Sequence, residues 1–123
     1  MRSLGEAPVL VVTDGSAPAR EEALERAGAR LIRATGTGMA LRALKDHGMD
    51  SLYVEGGAGL AGSLLEAGSV DRLVIFRASV VLGAGSLAAF ESAPSFRLED
   101  APRFRIVRRR SFGEDDMTIY ALR

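Results

Sequence analysis

Residues 53–62 read YVEGGAGLAG, with four glycines in ten positions directly after an apolar stretch. Glycine loses more conformational freedom on folding than any other residue, so such a cluster marks a sharp turn or a close approach of the backbone to another group. Gly57, Gly59 and Gly62 fit G-x-G-x-x-G, placed between an expected strand, DSLYVE at 50–55, and an expected helix carrying Leu60, Ala61, Leu64 and Leu65 inward. Two uses fit the pattern. Small residues let backbone amides reach a phosphate at a helix N-terminus, or they only let the helix pack closely on a sheet. No acidic residue for a ribose stands about twenty residues on, where VVLGAG lies, which disfavours a standard Rossmann dinucleotide fold.

Outward from this stretch the chain has a rhythm. VLVVTD at 9–14, ARLIRA, DSLYVE and DRLVIF begin roughly every twenty-one residues, and Gly28, Gly48 and Gly68 each close the helical segment before the next apolar run. The first helix is expected to start at a Ser16 cap, with Pro18, Glu21 and Glu22 in its opening turn and Ala19, Ala23, Leu24 and Ala27 as its apolar stripe. The second is expected to start at Thr37, with Ala40, Ala43, Leu44 and His47 near one face. Strands joined by such helices are normally parallel with right-handed crossovers. After residue 77 the rhythm stops. VVLGAGS at 80–86 is apolar and glycine-bearing, ESAPSFRLEDAPR at 91–103 reads as loop with at most one short strand, and FRIVRRRSF at 104–112 and MTIYALR at 117–123 read as an antiparallel hairpin. The expected class is α/β, with a mixed sheet of parallel βα units and a C-terminal antiparallel hairpin.

Composition bounds the function. The chain has 123 residues, 47% of them hydrophobic and 26% charged, which suits one globular domain over 1–123. Sixteen basic and sixteen acidic residues cancel, so neither nucleic acid nor an anionic membrane is an expected partner. Cysteine is absent, which excludes disulfides and thiolate chemistry, and no run is long enough to span a bilayer; a cytoplasmic protein is expected. His47 is expected to serve a helix C-terminus, and Asp14, Asp50 and Asp71 to serve caps or turns rather than a metal. Arg108, Arg109 and Arg110 alternate faces of a strand and read as a solvated edge.

Residues 54–85, VEGGAGLAGSLLEAGSVDRLVIFRASVVLGAG, resemble the signature region of the reductase domain of bacterial bifunctional riboflavin-biosynthesis deaminase/reductases, a dihydrofolate-reductase-like three-layer fold. The earlier segments fit the family in order and spacing. The resemblance implies NADPH as cofactor and reduction of 5-amino-6-(5-phosphoribosylamino)uracil, a pyrimidine, to its ribitylamino product by hydride delivery to the ribosyl C1′. It implies that Gly57, Ala58, Gly59, Leu60, Ala61, Gly62 and Ser63 wrap the cofactor diphosphate, that Thr13 lies near the cofactor and that Glu55 faces the substrate. Hydride transfer is mostly positioning, so no acid–base residue and no metal is assigned.

Two departures stand out. Ala58 and Ser79 occupy places where the family usually has proline. Family domains are also longer, and the portion expected before residue 8 supplies a central strand and most substrate contacts. An open apolar edge follows from that, and with it a homodimer or higher oligomer. A second reading is a noncatalytic nucleotide-binding or interaction module that keeps the fold; a third, a reductase of another pterin-like or pyrimidine substrate.

Overall fold

The computed structural model describes residues 7–91, 97–99 and 101–122. Part of the 91–103 stretch read as loop lies outside them. Among the described residues eight elements follow one another: β1 (Leu10–Thr13), α1 (Pro18–Arg26), β2 (Arg30–Arg33), α2 (Gly36–Asp46), α3 (Ala58–Glu66), β3 (Arg72–Arg77), β4 (Phe104–Phe112) and β5 (Asp115–Leu122). The chain divides into two compact units between Val54 and Glu55.

The first unit is a βαβα segment. Strands β1 and β2 pair in parallel with Leu10 opposite Arg30 and Thr13 opposite Arg33, joined through α1 as short parallel strands require. The helices end as read. Gly28, at φ +93°, donates its amide to the Glu25 carbonyl while Ala29 donates to Leu24, and the same pair of bonds recurs at Gly48 and Gly68. This double closure satisfies the last carbonyls of each helix, and the left-handed residue it needs is cheapest as glycine.

The helix starts differ from expectation. Ala17, not Ser16, occupies the cap position of α1 and accepts the Arg20 and Glu21 amides. Ser16 is drawn back instead, its amide donating to Asp14 Oδ1 at 2.9 Å in a local turn. Thr37 lies inside the first turn of α2 rather than capping it, because Gly36, at φ +77°, already turns the chain into the helix after Thr35. The expected stripe on α1 is exposed at Ala19, Ala23 and Ala27 and half-buried at Leu24; the residue this helix buries is Glu21.

The second unit places α3 before a three-stranded antiparallel sheet ordered β3-β5-β4. The hairpin joins β4 to β5 through Gly113 and Glu114, with Val107 as the extra residue of a bulge between Ile106 and Arg108. Strand β3 is antiparallel to β5, so the parallel run of βα units stops at β2 and the mixed character is shared between two sheets. Arg108, Arg109 and Arg110 are exposed on the edge strand β4, as expected.

Residues 50–55 do not form the expected strand. Their side chains are all exposed, and among the described residues no backbone group from 50 to 56 pairs with another strand. A strand exists only as part of a ladder, and an apolar run without a neighbour cannot make one. Leu60 also departs from expectation: it is 46% exposed and lies over Gly56, leaving Leu64 as the buried leucine of α3. Among the described residues the buried hydrophobic set is Ala29, Ile32, Ala34 and Leu64.

Candidate functional site

In the first unit Thr13 ends β1, and its hydroxyl is already engaged. Oγ1 donates to Glu21 Oε1 at 2.5 Å and accepts the Gly15 amide at 3.1 Å. Glu21, only 4% exposed, reaches Thr13 from α1, and its Oε2 stands 2.7 Å from Arg33 Nη2 in an ion pair. The parallel register explains this meeting, since Thr13 and Arg33 are directly opposite. A buried carboxylate persists only with such partners. Arg33 leans over Gly15, whose missing side chain leaves its Nη1 room; a Cβ there would collide with it. Beside them, hydrogen bonds from the Ser16 hydroxyl and amide hold the Asp14 carboxyl below its usual range.

The resemblance implies that Thr13 lies near a cofactor, and the sequence marks Glu21 only as an acid in a first turn. In the structure the Thr13 proton points into the protein, at Glu21. The signal for the Thr13–Glu21–Arg33 cluster was the register of two parallel strands, which a sequence shows only once both strands and their alignment are placed.

In the second unit the glycine turn is open. Gly57 precedes α3 with extended backbone, φ −74° and ψ 175°, and no side chain caps the helix. The first amide of the helix to find a backbone partner is that of Ala61, which donates to the Gly57 carbonyl. Among the described residues the Ala58, Gly59 and Leu60 amides have no backbone acceptor, and apart from chain neighbours and the helix's own backbone no atom lies within 4 Å of where a Cβ of Gly57 or Gly59 would stand. Among the described residues, three donors at the positive end of a nine-residue helix are thus left without a backbone partner, while Glu91 donates its amide to the Ala58 carbonyl at 3.0 Å.

The remaining members of the stretch serve the helix. Gly62 is buried, Ala61 is half-buried and Ser63 donates to the Gly59 carbonyl at 3.0 Å. Glu55 is exposed and, among the described residues, makes no hydrogen bond or ion pair. His47 stands where expected, at the end of α2, its Nδ1 2.7 Å from the Ala43 carbonyl oxygen. A largely polar recess that no sequence motif marks lies on the antiparallel sheet, lined by Arg77, Arg109, Asp116, Met117, Thr118 and Tyr120. Arg77 donates to Asp116 Oδ2 at 2.8 Å, and this bond, with further help from Ser111, holds the Asp116 carboxyl below its usual range.

The chain is 37% identical over 67 residues to the riboflavin biosynthesis protein RibD of Escherichia coli K12, covering 54% of this chain and 18% of that protein. It is 32% identical over 80 residues to RibD of Haemophilus influenzae, covering 65% and 22%. It thus spans about a fifth of the length of these relatives. Acinetobacter baumannii RibD, form 2, superposes with a TM-score of 0.78 at 22% identity over 96% of this chain and 32% of that one, a likeness of fold. Among the described residues no helix is long and apolar enough to cross a membrane. The model of the RibD C-terminal domain matches residues 2–117, and the chain belongs to that family.

Proposed function

We propose that the chain binds NADPH through the turn at Gly57–Leu60 and belongs to a reductase of riboflavin biosynthesis acting on 5-amino-6-(5-phosphoribosylamino)uracil. The observation that carries this reading is that, among the described residues, the amides of Ala58, Gly59 and Leu60 have no backbone partner and no side chain crowds the Cβ positions of Gly57 and Gly59. A diphosphate is the group such a cradle suits: it is doubly charged, it accepts from backbone N–H, and it needs side chains to stay away. The cofactor supplies the hydride and the electronics of the reaction. The chain holds the diphosphate with the amides of residues 58–60, keeps the turn shaped through the Ser63 bond to Gly59, and presents Glu55 to the substrate.

The test is a fluorescence titration of NADPH. The chain contains no tryptophan, so enhancement of nicotinamide emission reads binding directly. Saturable enhancement supports the cradle, and none at millimolar cofactor removes it. Loss of NADPH absorbance on adding the phosphoribosylaminouracil then separates a reductase from a noncatalytic nucleotide-binding module. NADH run in parallel reports whether the 2′-phosphate is read.

A further inference from the structure

Inside the second unit, a segment returning from the sheet is tied to the glycine turn. After β3 the described chain runs without helix or strand to Glu91, whose main-chain amide donates to the Ala58 carbonyl at 3.0 Å. Ala58 is the first residue of α3. The bond therefore seats Glu91 beside the helix start whose Ala58, Gly59 and Leu60 amides have no backbone partner among the described residues. Glu91 is exposed, and its carboxylate joins none of the ion pairs among those residues.

The sequence on both sides of that bond gives the acid its meaning. Residues 53–70, which hold the turn and α3, and residues 78–91, the returning segment, contain no lysine and no arginine. Acids are what they bring to the turn: Glu55 stands two residues before Gly57, and Glu91 is tethered against Ala58. Within these segments an anion is attracted by main-chain N–H groups and the helix dipole alone. Sites built for terminal phosphates add a lysine or arginine, because a chain-end phosphate carries more charge than main-chain dipoles offset. A diphosphate that bridges two nucleosides carries one charge on each phosphate and asks for less.

We propose that Glu91 is a specificity-determining residue of the glycine turn: its carboxylate opposes added negative charge and so favours the bridging diphosphate of a dinucleotide over a terminal diphosphate. This rests on the diphosphate reading of the turn given above. The tether sets the scale of the effect. It keeps the carboxylate within about one Debye length of the turn, about 8 Å at physiological salt. At that range in water each ligand charge is opposed by about two- to threefold in affinity. A bridging diphosphate then loses about fivefold, and inorganic diphosphate, with about three charges at neutral pH, about tenfold.

The test compares wild type, Glu91→Gln and Glu91→Asp in two titrations, NADPH followed by nicotinamide fluorescence and inorganic diphosphate followed by the amide NMR shifts of Ala58, Gly59 and Leu60. Both variants keep the tether, which is a main-chain bond. Glu91→Gln is expected to bind NADPH about fivefold and inorganic diphosphate about tenfold more tightly, both gains falling toward unity at about 0.5 M salt. Glu91→Asp is expected to behave as wild type. Unchanged affinities in Glu91→Gln, equal gains for the two ligands, or gains that salt leaves intact overturn the proposal while the diphosphate reading stands. If NADPH binds none of the three proteins but inorganic diphosphate shifts those amides at lower concentration in Glu91→Gln, the cofactor reading falls and the role of Glu91 remains. Amides that neither ligand shifts in any of the three remove both.

Discussion

At the scale of single residues, the structure separates glycines that shape the chain from glycines that keep space clear. Gly57 has ordinary negative φ and open surroundings, so Gly57→Ala is expected to leave the thermal midpoint unchanged while its methyl enters the space before the free amides. NADPH affinity should fall by about tenfold, which is about 1.4 kcal/mol; wild-type affinity in this variant would show that the diphosphate lies elsewhere. Gly28, at φ +93°, differs: Gly28→Ala is expected to cost about 1 kcal/mol in urea unfolding with no change in nucleotide binding. Glu21→Gln tests the cluster at the end of β1. It removes the charge facing Arg33 and weakens the acceptor of the Thr13 hydroxyl, with an expected loss of about 1–2 kcal/mol by the same measurement.

Asp14 and Asp116 set the acid response. Both carboxyls are held below their ordinary range, Asp14 chiefly by hydrogen bonds from Ser16 and Asp116 chiefly by its bond to Arg77. A group whose folded value is depressed adds stability above its unfolded value and loses it as pH falls through the folded one. Stability is therefore expected to decline below about pH 4, the ordinary carboxylate range, and Asp116→Asn should flatten that limb. Because both groups are exposed, the effect is small and shrinks further in salt. Urea midpoints across the acid range, with and without added salt, measure it.

At the scale of elements, the local signals were read well and the pairing signals were not. The Gly28, Gly48 and Gly68 closures, the hairpin of β4 and β5 and the exposed arginines of β4 follow from rules acting within a few residues, and all stand as expected. Leu52–Val54 reads as strand by composition but makes no ladder, since a strand depends on a neighbour that composition does not contain. The α1 stripe failed for a related reason. Glu21 is fixed by Thr13 and Arg33, and those contacts turn the face bearing Glu21 inward against the simple apolar periodicity. For the candidate site, the open glycine turn was legible because its amides belong to consecutive residues, whereas the Thr13–Glu21–Arg33 cluster draws on three elements and a register.

At the scale of the whole molecule, burial is sparse. Ala29, Ile32, Ala34 and Leu64 are the buried hydrophobic residues among those described, and two are alanines. Hydrophobic burial is the main favourable term in folding and grows with area removed from water, so stability is expected at the low end of the range for small domains. A shallow urea slope, below about 1 kcal/mol/M, together with binding of a hydrophobic dye, would confirm this. A steep, fully cooperative transition in the monomer would contradict it.

The unpaired stretch from Asp50 to Gly56 has one more outcome, in proteolysis. A protease must draw several residues of backbone into its cleft, which helices and ladders resist and this stretch, with no backbone bonds to surrender among the described residues, does not. Chymotrypsin should nick after Tyr53, 77% exposed, before any bond inside α1, α2 or the hairpin. Because the scar falls a few residues ahead of Gly57, slower digestion in the presence of the nucleotide would report occupancy on a gel, without labels and without turnover.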